Sequence, residues 1–501
     1  MIEALLEGFS WIFSWPTILF VLAGTLLGQL FGVLPGLSGS IAMALLIPFT
    51  YAMAPEQGMA LLASAMGAVA FGGSITAILF NTPGTANNAA TCFDGFPLAK
   101  QGKAGIALGA GATASAMGAL VGLLVLVLVI PVIREVVLAF GPPEFFLIAI
   151  LGLTIISAVS GRSFLSSLIG GAFGLTLSII GLSPIAPDHR FVFGSLYLWD
   201  GIQLVPTLIG IFAIAEMLNL LINSRTISEE GTLASGGILT GIKSVFQNFW
   251  LFLRCSIIGT VIGCIPGVGG SVANFVTYGH AAQFSKNAYF GQGDVRGVIA
   301  PEASNDAKDA GALMPGLALG IPGDPTTAVL LGGLMIHGIN PGRELFSDHL
   351  PLIFTIVAAM VVANLLTGAA GIFLGNQLAK VTTLPTVLVA PVILILTVIG
   401  SFAIRYNMGD VILAVVFGII GYFMIRFGLN RVPVILGLIL GGLAEQNYHN
   451  AIQIARGAVD VFFTRPVSLV IVVLIVIFVA MPFIQNWRKK KRVNEQGSEE
   501  V

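Results

Sequence analysis

The sequence predicts an all-α, polytopic integral membrane protein of roughly 10–14 spans, built from two related repeats, read as inverted, whose helices are broken or re-entrant at Pro-Gly pairs. Three observations lead there. Of the 501 residues, 56% are hydrophobic and 9% are charged, against the about 25% charge of a soluble chain. Mean hydropathy is +0.96. A Pro-Gly-rich segment near the start recurs in the second half in the same order of small residues.

Read in order, the chain carries no Lys or Arg before Lys100, so it lacks the basic n-region of a cleavable signal peptide. Plain apolar spans follow at 17–33, 112–133, 144–160, 164–182 and 204–222, then at 248–265, 350–375, 384–404, 410–427 and 466–486. This divides the chain into a first membrane repeat (1–222), a connecting polar loop (223–247), a second repeat (248–465), a final transmembrane helix (466–487) and a basic then polar tail (488–501). A second polar stretch runs from Gln283 to Asp309 and reads either as a solvated loop or as cavity lining. The Arg-Lys run after Trp487 places the C-terminus in the cytoplasm by the positive-inside rule. Lys100 and Lys103 put their loop on the same side, which leaves the N-terminus outside.

The repeat is the most informative feature. Residues 32–42 read GVLPGLSGSIA and residues 263–273 read GCIPGVGGSVA, with Gly32/Gly263, Pro35/Pro266, Gly36/Gly267, Gly39/Gly270, Ser40/Ser271 and Ala42/Ala273 identical at an offset of 231. Pro83-Gly84 and Pro322-Gly323 form a second pair at an offset of 239. A Pro-Gly pair inside an apolar segment interrupts its helix, because Pro lacks a donor and Gly admits left-handed or close-approach backbone. Irregular backbone at membrane depth persists only where protein or a water-filled cavity satisfies it. Four interruptions therefore imply a polar cavity at a repeat interface, the arrangement of many secondary transporters.

The candidate substrate-binding residues follow: Pro35, Gly36, Ser38, Gly39 and Ser40; Asn81, Thr82, Pro83, Gly84, Thr85, Asn87 and Asn88; Pro266, Gly267, Gly269, Gly270 and Ser271; Pro322, Gly323, Asp324, Thr326 and Thr327. Hydroxyl and small residues after each Pro-Gly pair can cap a restarting helix, whose N–H groups and positive dipole end favour an anion. Glu302, Asn305, Asp306 and Glu216 are the candidates for ion coupling, since carboxylates within spans face the protein interior or water. With so few basic residues in the apolar body, an acid would be held by helix N-termini, Ser, Thr and Asn.

The segments GVLPGLSGSIAMALLIPFTYAMAPEQG, FGGSITAILFNTPGTANNAATCFDGFPLAKQGKAG, GCIPGVGGSVANFVTYGHA and APEASNDAKDAGALMPGLALGIPGDPTTAVLLGGL resemble the large membrane subunit of the tripartite tricarboxylate transporters. The resemblance covers residues 16 to 440. It implies a bacterial inner-membrane permease that works with a small membrane subunit and a periplasmic solute-binding protein, taking up citrate-like or other carboxylates. It also implies an ion gradient as the driving force, sodium or else protons, and admits a homodimer. Asp306 stands where that family's pattern has a second asparagine, Asp324 where it has serine, and Asn87 and Asn88 where it has smaller residues. An aspartate beside a helix N-terminus would repel a carboxylate unless it is protonated, binds a cation or points away.

Other classes are disfavoured. A net charge of −1 argues against nucleic acid, and no GxxxxGK[ST] loop is present for a nucleotide. Three cysteines and five histidines without HExxH spacing suggest no metal centre and no cofactor beyond the coupling ion. The alternatives are a membrane-embedded hydrolase, which lacks a recognisable nucleophile and base, and a transporter of the same architecture for a non-carboxylate solute.

Overall fold

Helices account for nearly all the ordered structure, as an apolar chain that must satisfy its backbone internally requires. The computed structural model describes residues 1–34, 37–159, 164–183, 188–222, 236–268, 270–286, 289–381 and 386–480. Residues 223–235 of the connecting loop, the end of the final helix and the tail 488–501 lie outside the described residues.

The first half contains α1 (Ile2–Phe13), α2 (Thr17–Val33), α3 (Gly39–Thr50), α4 (Pro55–Phe80), α5 (Ala89–Lys100), α6 (Ala104–Ala139), α7 (Pro142–Val159), α8 (Phe164–Ser178), α9 (Leu204–Leu208) and α10 (Ala215–Ile222). The second contains α11 (Ile238–Gln247), α12 (Phe249–Gly263), α13 (Gly270–Phe284), α14 (Arg296–Leu319), α15 (Pro325–Ile336), α16 (Arg343–Ser347), α17 (Leu350–Val381), α18 (Thr386–Arg405), α19 (Met408–Arg426), α20 (Val432–Ile454) and α21 (Val461–Thr464). A last apolar helix covers Pro466–Ala480. Among the described residues five helices are long and apolar enough to cross a membrane, or seven if the bent pairs α1/α2 and α11/α12 each count as one. Several further apolar helices, α3 and α15 among them, are too short to cross alone.

The chain forms two compact units, one from Met1–Val137 with Gln203–Phe427, the other from Leu138–Ile202 with the residues from Gly428 onward. Each takes residues from both sequence halves. In the second unit α20 packs on α7 and α8, Glu144 accepts from Ser468 at 2.6 Å and from the Gly141 amide at 2.8 Å, and Arg190 forks onto Glu445 at 2.6 and 3.0 Å.

The first unit repeats itself in three dimensions with the registers seen in the sequence. α1 meets α2 at a 74° bend and α11 meets α12 at 79°. A Cβ on Gly28 or Gly32 of α2 would overlap Ala65 or Val69 of α4, and one on Gly259 or Gly263 of α12 would strike Ser304 or Lys308 of α14. These are the close helix approaches that small residues at four-residue spacing allow. α4 ends on the left-handed Asn81 (φ 54°) and α14 on Gly320 (φ 72°), which are 239 residues apart. Beyond them Gly84 packs against Gly32 and Gly73, while Gly323 packs against Gly263 and Ala312. The halves also exchange partners, since α4 lies along α17 while Gly118 and Gly122 of α6 abut Ala303 and Ala307 of α14.

Of the polar stretch from Gln283 to Asp309, the first two residues end α13 and the described residues 289–295 form a loop. From Arg296 onward it is α14, whose Glu302, Asn305, Asp306, Lys308 and Asp309 are all buried.

Candidate functional site

Four chain breaks in the first unit converge on one cavity of about 210 Å³. Each contributes the beginning of a helix. Ser38, Gly39 and Ser40 open α3; Thr85, Ala86 and Asn87 lead through a 3₁₀ turn into α5; Gly270 and Ser271 open α13; Asp324, Pro325 and Thr326 open α15. The remaining wall comes from Met66, Val69 and Ala70 of α4 and from Lys308 and Asp309 of α14. Four helix N-termini gathered at one space bring to it their positive dipole ends and first-turn N–H groups that have no partner within the helix ladder.

The breaks are stabilised locally. Asp324 caps α15 by accepting from the Thr327 amide at 2.7 Å and its hydroxyl at 2.8 Å, with Pro325 pre-set at the first helical position. That oxygen is thus turned onto its own helix. The first repeat swaps the roles, since the Thr85 amide and hydroxyl donate to Asn88 Oδ1 at 3.3 and 2.7 Å. Gly267 adopts φ 82° and donates its N–H to Gly323 O at 3.1 Å, which ties the two breaks of the second half together. Ser38 and Ser40 share a hydroxyl hydrogen bond of 2.8 Å.

Behind the cavity lies a buried polar network. Asn88 Nδ2 donates to Ala70 O at 2.9 Å and to Ser74 Oγ at 2.7 Å, and Ser74 donates in turn to both oxygens of Glu302 at 2.7 Å. Thr91 donates to the same carboxylate. Asn305 donates to Ala70 O at 3.2 Å and accepts from Asn274 Nδ2 at 3.1 Å, which also reaches Asn87 O at 2.7 Å. Glu302 is therefore joined to the cavity wall by the chain Ser74, Asn88, Thr85. Asp306 accepts from Ser115, while its other oxygen, Oδ1, is buried without a hydrogen-bond partner.

Of the residues singled out in the sequence, Ser38, Gly39, Ser40, Thr85, Asn87, Gly270, Ser271, Asp324 and Thr326 line the cavity. Asn88 and Thr327 stand one layer behind as caps, and Gly84, Gly267 and Gly323 shape the breaks. Pro322 is buried in its break, as is Pro266. Pro83 is half-buried and Asn81 exposed. Thr82 donates to Phe80 O at 3.2 Å. Pro35, Gly36 and Gly269 lie outside the described residues. Glu302, Asn305 and Asp306 stand behind the wall, and Glu216, half-buried on α10, is not among the lining residues.

Lys308 escaped the sequence reading. It is 4% exposed, pairs with Asp309, and is the only basic side chain lining the cavity among the described residues. Its stem lies where a Cβ on Gly270 would stand, beside Asn87 Nδ2 at 2.7 Å from that point. An acid in this cavity would thus meet a cation as well as helix ends. A signal was available: Lys308 is the one basic residue between Arg296 and the Pro322-Gly323 break.

With this geometry in view, comparison with known proteins is direct. Residues 18–436 match the tripartite tricarboxylate transporter TctA family. The chain belongs to that family. An uncharacterized 52.8 kDa protein of Agrobacterium vitis from the TAR-I ttuC' 3' region is 33% identical over 510 residues, covering 99% of both chains. An uncharacterized protein from the TAR-II ttuC' 3' region of the same organism is 35% identical over 234 residues, which is 46% of this chain and 97% of that one. No solved structure matches. Membership makes this a multi-pass subunit of a transporter family, and the four breaks that carry the resemblance are those that meet at the cavity.

Proposed function

We propose that this protein is the permease subunit of a binding-protein-dependent secondary transporter of the bacterial inner membrane, and that the cavity holds a small carboxylate in transit. In this reading a periplasmic solute-binding protein delivers the acid, a small membrane subunit completes the assembly, and the C-terminus faces the cytoplasm. One observation carries it: four helix N-termini and one lysine surround the same space. Desolvating a carboxylate is costly unless the site supplies pre-oriented N–H groups and a counter-charge. This site offers both.

Duplicated broken helices favour alternating access, with the two repeats moving around a fixed site. Movement needs a driving force. Glu302, joined to the wall through Ser74, Asn88 and Thr85, is the group we assign to ion coupling, with Na⁺ as the first candidate and H⁺ as the second. Uptake of labelled carboxylates by cells producing this chain, with and without its binding protein, tests the assignment. Accumulation should need both the binding protein and an ion gradient. Uptake that ignores both would refute it.

A further inference from the structure

The two repeats bring equivalent helices to the cavity, but the walls they build are chemically opposite. α4 and α14 correspond in register at an offset of 239, the spacing of Asn81 and Gly320, of Gly73 and Ala312, and of Gly84 and Gly323. In that register Val69 corresponds to Lys308 and Ala70 to Asp309. One wall is therefore an ion pair where its counterpart is aliphatic, widened by Met66. The charges at the cavity do not sum to a polyanion site. Lys308 is matched by Asp309, and Asp324 adds a second carboxylate at the start of α15.

Resting on the reading that this cavity holds the transported acid, we propose that the substrate is a small monocarboxylate with an uncharged, largely apolar remainder. It is bound in one orientation, its carboxylate at Lys308 and its apolar end at Met66 and Val69. A ligand with two or three carboxylates would have to bury a charge against the α4 wall or bring it to Asp309 and Asp324. Both are unfavourable, the first by desolvation and the second by like-charge repulsion. The carboxylate at Lys308 instead replaces part of the Asp309 pairing with a second charge-assisted contact, while the apolar end leaves water. Val69 and Lys308 are then the pair of positions that sets specificity.

Isothermal titration of the full chain in lipid nanodiscs decides the matter, with 3-methylbutanoate, glutarate, tricarballylate and the neutral 3-methylbutanamide as probes. The monocarboxylate should bind about ten-fold or more tighter than either polyacid, the discrimination expected of like-charge juxtaposition within a site. The amide should bind more weakly than the acid. Lys308→Met should weaken the monocarboxylate about ten-fold, and Val69→Lys should move the preference toward glutarate. Thermal unfolding of each variant shows that it is folded, and the wild-type series stands without them. Glutarate or tricarballylate binding at least as tightly as 3-methylbutanoate, with that binding lost in Lys308→Met, would overturn the substrate class and keep the site. If none of the four binds, or binding is unchanged in Lys308→Met, the cavity is not the acid site and both readings fall.

Discussion

Lys308 and Asp309 occupy successive positions on α14, 4% exposed each, and the two charges depend on one another. Removing one partner of a buried pair strands the other, at about 3–5 kcal/mol. Asp309→Ala should therefore lower unfolding stability by that amount in detergent, whereas the double replacement Lys308→Met with Asp309→Leu should come close to neutral. Equal losses from the single and double variants would show that the pair is not buried as described. Lys308 was hidden in the sequence for a physical reason. APEASNDAKDAG carries four charges, and periodicity separates a buried face from a solvated one only when the opposite face differs. α14 is surrounded by α4, α5, α12, α13 and α15, so its charges look inward at protein, whereas composition alone leaves a solvated loop and a cavity lining equally open.

At the scale of the element, the Pro-Gly breaks were legible because their effect is local. Proline and glycine act on the backbone within a few residues whatever packs around them. Gly267 shows how tightly the backbone is specified. At φ 82° a β-branched residue is a steric outlier, and its amide holds the neighbouring break through Gly323 O at 3.1 Å. Gly267→Val should abolish uptake while leaving membrane insertion intact, and Gly267→Asn should retain part of the activity, because asparagine tolerates left-handed backbone. Full transport by the valine variant would mean that this break does not shape the path. The long helix α4 was less legible than its neighbours. Its hydropathy of 1.7, against 2.9 in α6, reflects a Gly-, Ala- and Ser-rich surface suited to packing against other helices rather than lipid.

At the scale of the molecule, the two halves are fastened at their polar ends by Asp94. This buried carboxylate on α5 accepts from Tyr278 Oη at 2.9 Å and from the amides of Gly293 and Asp294, both at 2.8 Å. It thereby anchors the start of α14 to the first repeat. Asp94→Ala leaves two amides and a phenol without their acceptor, and the Asp294 amide, buried where Gly293 and Tyr278 are half-buried, costs about 1–3 kcal/mol as an unsatisfied buried group. Amide exchange at Gly293 and Asp294 should accelerate sharply in that variant, more than in the core of α4. Unchanged protection would show that Asp94 is dispensable as a fastening. This contact joins residues 199 and 200 apart and has no local signature, so in the sequence Asp94 is only one residue of a segment that resembles the family.

The exchange of helices between halves bears on how the protein is made. α4 meets its neighbour α17 only after the second half has been synthesised, and Ser74 waits for Glu302, 228 residues later. Until then Gln29 and Ser74, both buried in the finished fold, stand in the bilayer or its insertion machinery without Thr367 O and Glu302. The first repeat thus leaves the ribosome as an incomplete object whose polar groups need shelter. These contacts close only when α14 and α17 arrive.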